Sequence, residues 1–173
     1  MRRYAALLRA VNVGGMKLPM TELKAMCDDL GFAHARTYIA SGNVVFGTKL
    51  SEAEIKSVLE KRLQEFAGKP VPVMIRTPEE LDAVASANPF LDAQPSRLLI
   101  LFLDDPPAPN ALDSVRHQTA ERIALGKREI YIDFGDGIGT SKLVVPAMKD
   151  GTARNLNTVI KLAELAAALP VEG

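Results

Sequence analysis

The sequence predicts an α+β protein built from two similar halves. Three observations lead there. Apolar stretches of strand length alternate with amphipathic stretches of helix length along the whole chain. The order strand–helix–strand–strand–helix–strand is completed over residues 1–76, and a related order follows over 77–173. The charge divides at the same place: 12 basic and 7 acidic residues up to 76 give +5, and 9 basic and 14 acidic residues beyond it give −5. With 47% apolar and 24% charged residues in a chain of 173, the body of the protein is expected to be ordered. The opposite charges of the halves attract each other, or present a basic half to an anionic partner.

In the first half, "YAALLRAVN" (4–12) is a short apolar strand. A charged pair ahead of it resembles the start of a signal peptide, but Arg9 interrupts the run and no small-residue cleavage motif follows. "PMTELKAMCDDLG" (19–31) places Leu23, Met26, Cys27 and Leu30 on one helical face, with Gly31 as the stop. "ARTYIASGNVVFG" (35–47) predicts a β-hairpin around Ser41-Gly42. Ser51 and Glu54 form a capping box ahead of Ile55, Val58, Leu59, Leu63 and Phe66, which predicts a helix. "VPVMIR" (71–76) closes the half as a strand. The order βαββαβ is the ferredoxin-like arrangement.

The second half opens on Thr77-Pro78-Glu79-Glu80, which combines a cap, a proline at the first helical position and a box glutamate. "RLLILFL" (97–103) is a strand whose continuous apolar run implies burial on both faces. Leu112, Val115, Thr119 and Ile123 recur at helical spacing, so an extra linking helix is expected over roughly 110–123. "REIYIDF" (128–134) is a strand, "GDGIG" (135–139) a turn, and a C-terminal helix beginning within "GTARNLNTVIKL" (151–162) ends the chain. The expected product is a duplicated ferredoxin-like fold, 1–76 and 77–173, whose halves share a core in one compact unit. A half of this size alone buries only a modest share of its surface.

Four motifs in order, "LLRAVNVGGMKLPMTELK", "TYIASGNVVF", "GIGTSKL" and "TARNLNTVIKL", together resemble the domain-of-unknown-function family 1697. Its members typically open on "LLRGINVGG" and close on "RNWNTV". Ala10 stands here where the family usually has glycine, and Leu156 where it usually has tryptophan. The second difference removes an aromatic platform. The resemblance implies the duplicated ferredoxin-like architecture and no particular activity.

Candidate chemistry is concentrated in loops and at the final helix. At 100° per residue, Arg154, Asn157, Thr158, Lys161 and Glu164 share one polar face. Asn155 falls among apolar residues, which suits a cap or a bond to a neighbouring backbone. A cation in the first turn is opposed by the helix dipole, so Arg154 calls for an anion: a carboxylate of the fold, or a bound phosphate or carboxylate. The loop "NVGGMKLP" offers Asn12, Gly14, Gly15 and Lys17 between strand and helix, and "GDGIGTSKL" offers Ser141 and Lys142 in similar company. Both suit a tight connection as well as an anion cradle, and neither has a Walker or dinucleotide spacing. Arg9, in a row with Leu7 and Val11, needs a partner: a ligand, or a salt bridge between the halves.

Other chemistry is poorly supported. His34 and His117 are isolated, no cluster has metal-ligand spacing, and no cofactor is implied. Cys27 lies on a packing stripe, and a single cysteine rules out an internal disulfide and suits a reducing cytoplasm. Asp104-Asp105, Asp133 and Asp136 read as turn residues. No apolar run approaches the ~20 residues that span a bilayer, so no membrane partner is expected. Aromatics are 5% with no tryptophan, which argues against a nucleic-acid partner. The expected function is a binding module for an anionic small molecule seated between the halves, with Arg9, Asn12, Gly14, Gly15, Lys17, Ser141, Lys142, Arg154 and Asn157 as ligand-binding residues. The alternatives are an enzyme at the same place, a nucleic-acid binder, and a structural or dimerising protein.

Overall fold

A computed structural model of the chain describes residues 1–9, 11 and 17–170. It is an α+β fold with two four-stranded antiparallel sheets. The chain divides into two compact units, Met1–Leu81 with Lys161–Gly173, and Asp82–Ile160.

The first sheet contains β1 (Arg2–Leu8), β2 (Ala33–Thr37), β3 (Asn43–Thr48) and β4 (Val73–Arg76) in the order β2-β3-β1-β4. Helix α1 (Met20–Asp29) joins β1 to β2, and α2 (Glu52–Ala67) joins β3 to β4. Leu23, Met26 and Cys27 of α1 and Ile55, Leu59 and Leu63 of α2 are buried against the Tyr4, Ala6, Leu8, Val44, Phe46 and Ile75 face of this sheet. Both halves of the expected capping box on α2 are present: Glu54 N–H donates to Ser51 Oγ and Ser51 N–H to Glu54 Oε1, each at 3.2 Å. The hairpin turn needs Gly42, whose φ is +91° and whose added Cβ would stand 2.4 Å from Val11 Cγ2.

Helix α3 (Pro78–Ser86) has the box read from the sequence, with Glu80 N–H donating to Thr77 Oγ1 at 3.1 Å and Thr77 N–H to Glu80 Oε1 at 2.9 Å. The second sheet contains β5 (Leu98–Phe102), β6 (Arg122–Leu125), β7 (Glu129–Asp133) and β8 (Thr152–Asn155) in the order β6-β7-β5-β8, and α4 (Leu156–Ala167) follows. This strand order matches that of the first sheet, with β5 in the place of β1. The match extends to register. Ala5 lies between Val45 and Arg76, and Ile100 between Tyr131 and Arg154. Arg76 and Arg154 are therefore equivalent residues, 0% and 7% exposed. Each Nη1 donates 2.9 Å to the carbonyl of its preceding residue, Ile75 or Ala153. Two rows along, the buried polar residues Asn43 and Glu129 are equivalent in the same way.

Three sequence expectations change. The linking helix over 110–123 is absent. Its span contains a short 3-10 turn, Ala111–Ser114, and the start of β6, where Ile123 pairs with Ile132. Leu112, Val115 and Ile123 still pack on the core of this unit, so the apolar spacing reported burial and not helix. Residues 152–155 form β8 and not the first turn of the final helix, so Arg154 has a sheet position and no helical phase. Asn155 ends that strand and caps α4, accepting the Thr158 N–H at 2.9 Å through Oδ1. An N-cap residue has extended backbone angles, which lets a strand run directly into a helix. Finally, β1 ends at Leu8, and Arg9 lies just beyond it.

Candidate functional site

Two irregular segments of the second unit stand where α1 and α2 stand in the first. One joins β5 to β6 and the other β7 to β8. They are tied by an isolated antiparallel bridge, with Arg116 N–H donating to Val144 O at 2.9 Å and Val144 N–H to Arg116 O at 2.8 Å. Two cavities are lined by residues of these segments. The larger, ≈ 420 Å³, is lined by Leu103, Asp104, Asp105, Pro106, Pro107, Ala108, Ala111, Ala147 and Asp150. Its charge is wholly acidic, which repels the anion expected from the sequence. The smaller, ≈ 310 Å³, brings together His117, Thr119, Ala120, Glu121, Phe134, Gly137, Thr140, Ser141 and Lys142.

Glu121 organises the smaller cavity. It is 6% exposed. Its Oε1 accepts the Thr119 N–H at 2.6 Å and the Thr119 hydroxyl at 3.2 Å. Its Oε2 accepts the Ser141 hydroxyl, so one carboxylate clasps both irregular segments. Ser141 Oγ in turn accepts the Leu143 N–H at 3.2 Å. The Ser141 hydroxyl above all, and then the Thr119 N–H, favour the ionised carboxylate and hold its pKa down at about 2. Phe134 supplies a half-buried aromatic wall, and Lys142 an exposed ammonium. His117 is exposed and held at φ +58°, a left-handed conformation uncommon outside glycine.

A protein-family model described as a protein of unknown function, family 1697, matches residues 1–131. The chain belongs to the domain-of-unknown-function family 1697. Among solved structures, this family 1697 chain is similar to the conserved bacterial protein SP0830 from Streptococcus pneumoniae. The two are 25% identical, with a TM-score of 0.81 over 96% of this chain and 99% of that one. No curated protein matches. The family match includes His117, Thr119 and Glu121 and stops before Phe134, Ser141 and Lys142.

Of the residues singled out from the sequence of this family 1697 member, Ser141 and Lys142 meet in one cavity. Arg9 is half-buried, and its N–H donates to Pro72 O at 3.0 Å. Lys17 is exposed ahead of α1, and Asn12, Gly14 and Gly15 lie outside the described residues. Arg154 is buried on β8, where Nη1 also donates to Thr152 Oγ1 at 2.7 Å. Desolvation lowers its pKa to about 10. Asn157 is exposed in the first turn of α4. Sequence reasoning passed over His117 as a surface residue and did not single out Thr119, Glu121 or Phe134. The Glu121–Ser141 bond spans 20 residues and depends on two non-repetitive segments, so no spacing could signal it.

Asp133 goes beyond the turn role expected of it. It accepts the Gly135 N–H at 2.9 Å, and it also binds Arg122 through Nε at 3.0 Å and Nη2 at 2.6 Å. Arg122 continues to Asp92 at 2.8 Å and lies 4.7 Å over the Phe90 ring. Among the described residues, no group of three or more His, Cys, Asp or Glu side chains is placed to hold a metal ion. None of the helices described is long and apolar enough to cross a membrane.

Proposed function

We propose that this protein binds a small molecule bearing a carboxylate or phosphate, in the cavity shared by the 117–121 and 134–142 stretches. One observation carries the reading: Lys142 lines a cavity beside the Ser141 hydroxyl and the Phe134 ring, and it has no internal counter-charge among the described residues. Its ammonium can pair with a ligand without breaking an existing ion pair, and a charge-assisted bond is about twice as strong as a neutral one. The cavity volume, ≈ 310 Å³, is at the low end of the range for small-molecule pockets. Segments that replace regular structure are also where ligand-binding residues concentrate. The single thiol, Cys27, supports a reducing, cytoplasmic setting.

Calorimetric titration with 3-phenylpropionate and with inorganic phosphate tests this. Binding of at least one is expected, weakened about tenfold by Lys142→Ala, the loss of roughly one charge-assisted bond. Lys17→Ala, as an exposed-lysine control, should leave it unchanged. No binding of either probe, or binding indifferent to Lys142→Ala, contradicts the proposal.

A further inference from the structure

Glu121 adds to the cavity a negative charge that the anion-binding reading leaves unused. It is a carboxylate only 6% exposed, and its donors are neutral: the backbone N–H of Thr119, the hydroxyls of Thr119 and Ser141, and its own backbone N–H. Among the described residues, no lysine, arginine or histidine pairs with it. The neutral donors outweigh the cost of burial and keep the carboxylate ionised, but none of them brings a positive charge. Lys142 lines the same cavity and does not pair with Glu121. Glu121 itself lines the cavity, so its negative charge borders the space a ligand would fill. The cavity thus combines an anion and a cation, neither with an ion-pair partner among the described residues, and an aromatic wall, Phe134.

We infer that the ligand is a zwitterion of amino-acid type, its ammonium on Glu121, its carboxylate on Lys142 and an apolar side group against Phe134. The inference rests on the anion-binding reading for the Lys142 contact and adds the ammonium contact to it. Each end of such a ligand meets a charge opposite to its own. A ligand with only an anionic group satisfies Lys142 and leaves Glu121 as it was, with like charges brought closer. A ligand with only a cationic group has the reverse deficiency. The binding is a pairing of charges with no covalent step.

Three matched probes separate the contacts: phenylalanine, 3-phenylpropionate and phenethylamine. They share a ring and carry both charges, the anion alone and the cation alone. Calorimetry on the full chain should rank phenylalanine about tenfold tighter than either of the others. Glu121→Gln keeps the acceptor oxygen for Thr119 and removes the charge. It should abolish the advantage of phenylalanine over 3-phenylpropionate and leave 3-phenylpropionate bound at least as well as before. Lys142→Ala should abolish its advantage over phenethylamine. If 3-phenylpropionate binds as tightly as phenylalanine to the unmodified protein, the ammonium contact is refuted and the anion site stands. If phenethylamine alone binds, the anion-binding reading fails and the zwitterion with it. Absence of binding by all three probes overturns both.

Discussion

The two halves of this molecule solve one packing problem in different ways. Each has four antiparallel strands in the same order and a buried arginine at the same register position, Arg76 or Arg154. The first covers its sheet with α1 and α2, whose apolar stripes form a core. The second puts 3-10 turns and irregular chain where those helices would be, and the core beneath it is smaller: Leu101, Leu103, Ile130, Ile132 and Val145, with partly buried neighbours. A helix meets its own backbone hydrogen bonds and fills space evenly. Irregular chain must find other partners, and here it finds the Arg116–Val144 bridge and the Glu121 clasp. What such a cover gives up in regularity it offers as concave surface. Both cavities described above lie in the half that departs from the regular pattern, and a more open one, ≈ 430 Å³, lies at the end of α2 in the other, lined by Lys61, Gln64, Glu65 and Gly68.

The comparison is most severely tested at the equivalent arginines. Arg76→Ala and Arg154→Ala should each destabilise the protein by about 2–4 kcal/mol, since both remove a large buried side chain and its hydrogen bonds. Urea unfolding should give values within about 1 kcal/mol of each other if the positions are equivalent in energy as they are in register. A near-neutral Arg154→Ala beside a costly Arg76→Ala would break the equivalence.

A smaller effect separates two ways of starting a helix. Thr77 caps α3 within a full box, whereas Asn155 caps α4 from the end of a strand. Each alanine replacement should cost about 1 kcal/mol, the usual worth of an N-cap. A value for Asn155→Ala several times larger would assign that side chain a role beyond the Thr158 N–H.

The third effect is a dependence on acid that belongs to the second half. A carboxyl whose folded pKa is below its unfolded value stabilises the fold above the unfolded value and loses that contribution as pH falls through the folded one. For Glu121 the window runs from 4.5 down to about 2. The stability difference between the protein and its Glu121→Gln variant should therefore shrink across that window. A difference that stays constant there would mean the clasp does not depend on the charge of Glu121.

Legibility in the sequence followed the same division. The first half was readable because its signals are local: Ser51 with Glu54, a glycine at the turn, and apolar residues at helical spacing. Thr77 and Glu80 were readable for the same reason. The second half misled where one spacing admits two structures. Leu112, Val115 and Ile123 are buried at helical intervals without a helix, and Thr152–Asn155 has the residues of a helix start while pairing with β5. Lys142 and Ser141 were legible as polar residues in a glycine-rich loop. Their neighbours Thr119 and Glu121 were not, because tertiary structure alone brings those stretches together.

The measurement closest to the central claim is an amide chemical-shift map of the full chain titrated with 3-phenylpropionate. If the irregular cover of the second half is the binding site, the perturbed amides should cluster at 117–121 and 134–143, with the first sheet unaffected. Perturbations centred on 9–18 or 154–161, or none at millimolar probe, would contradict it.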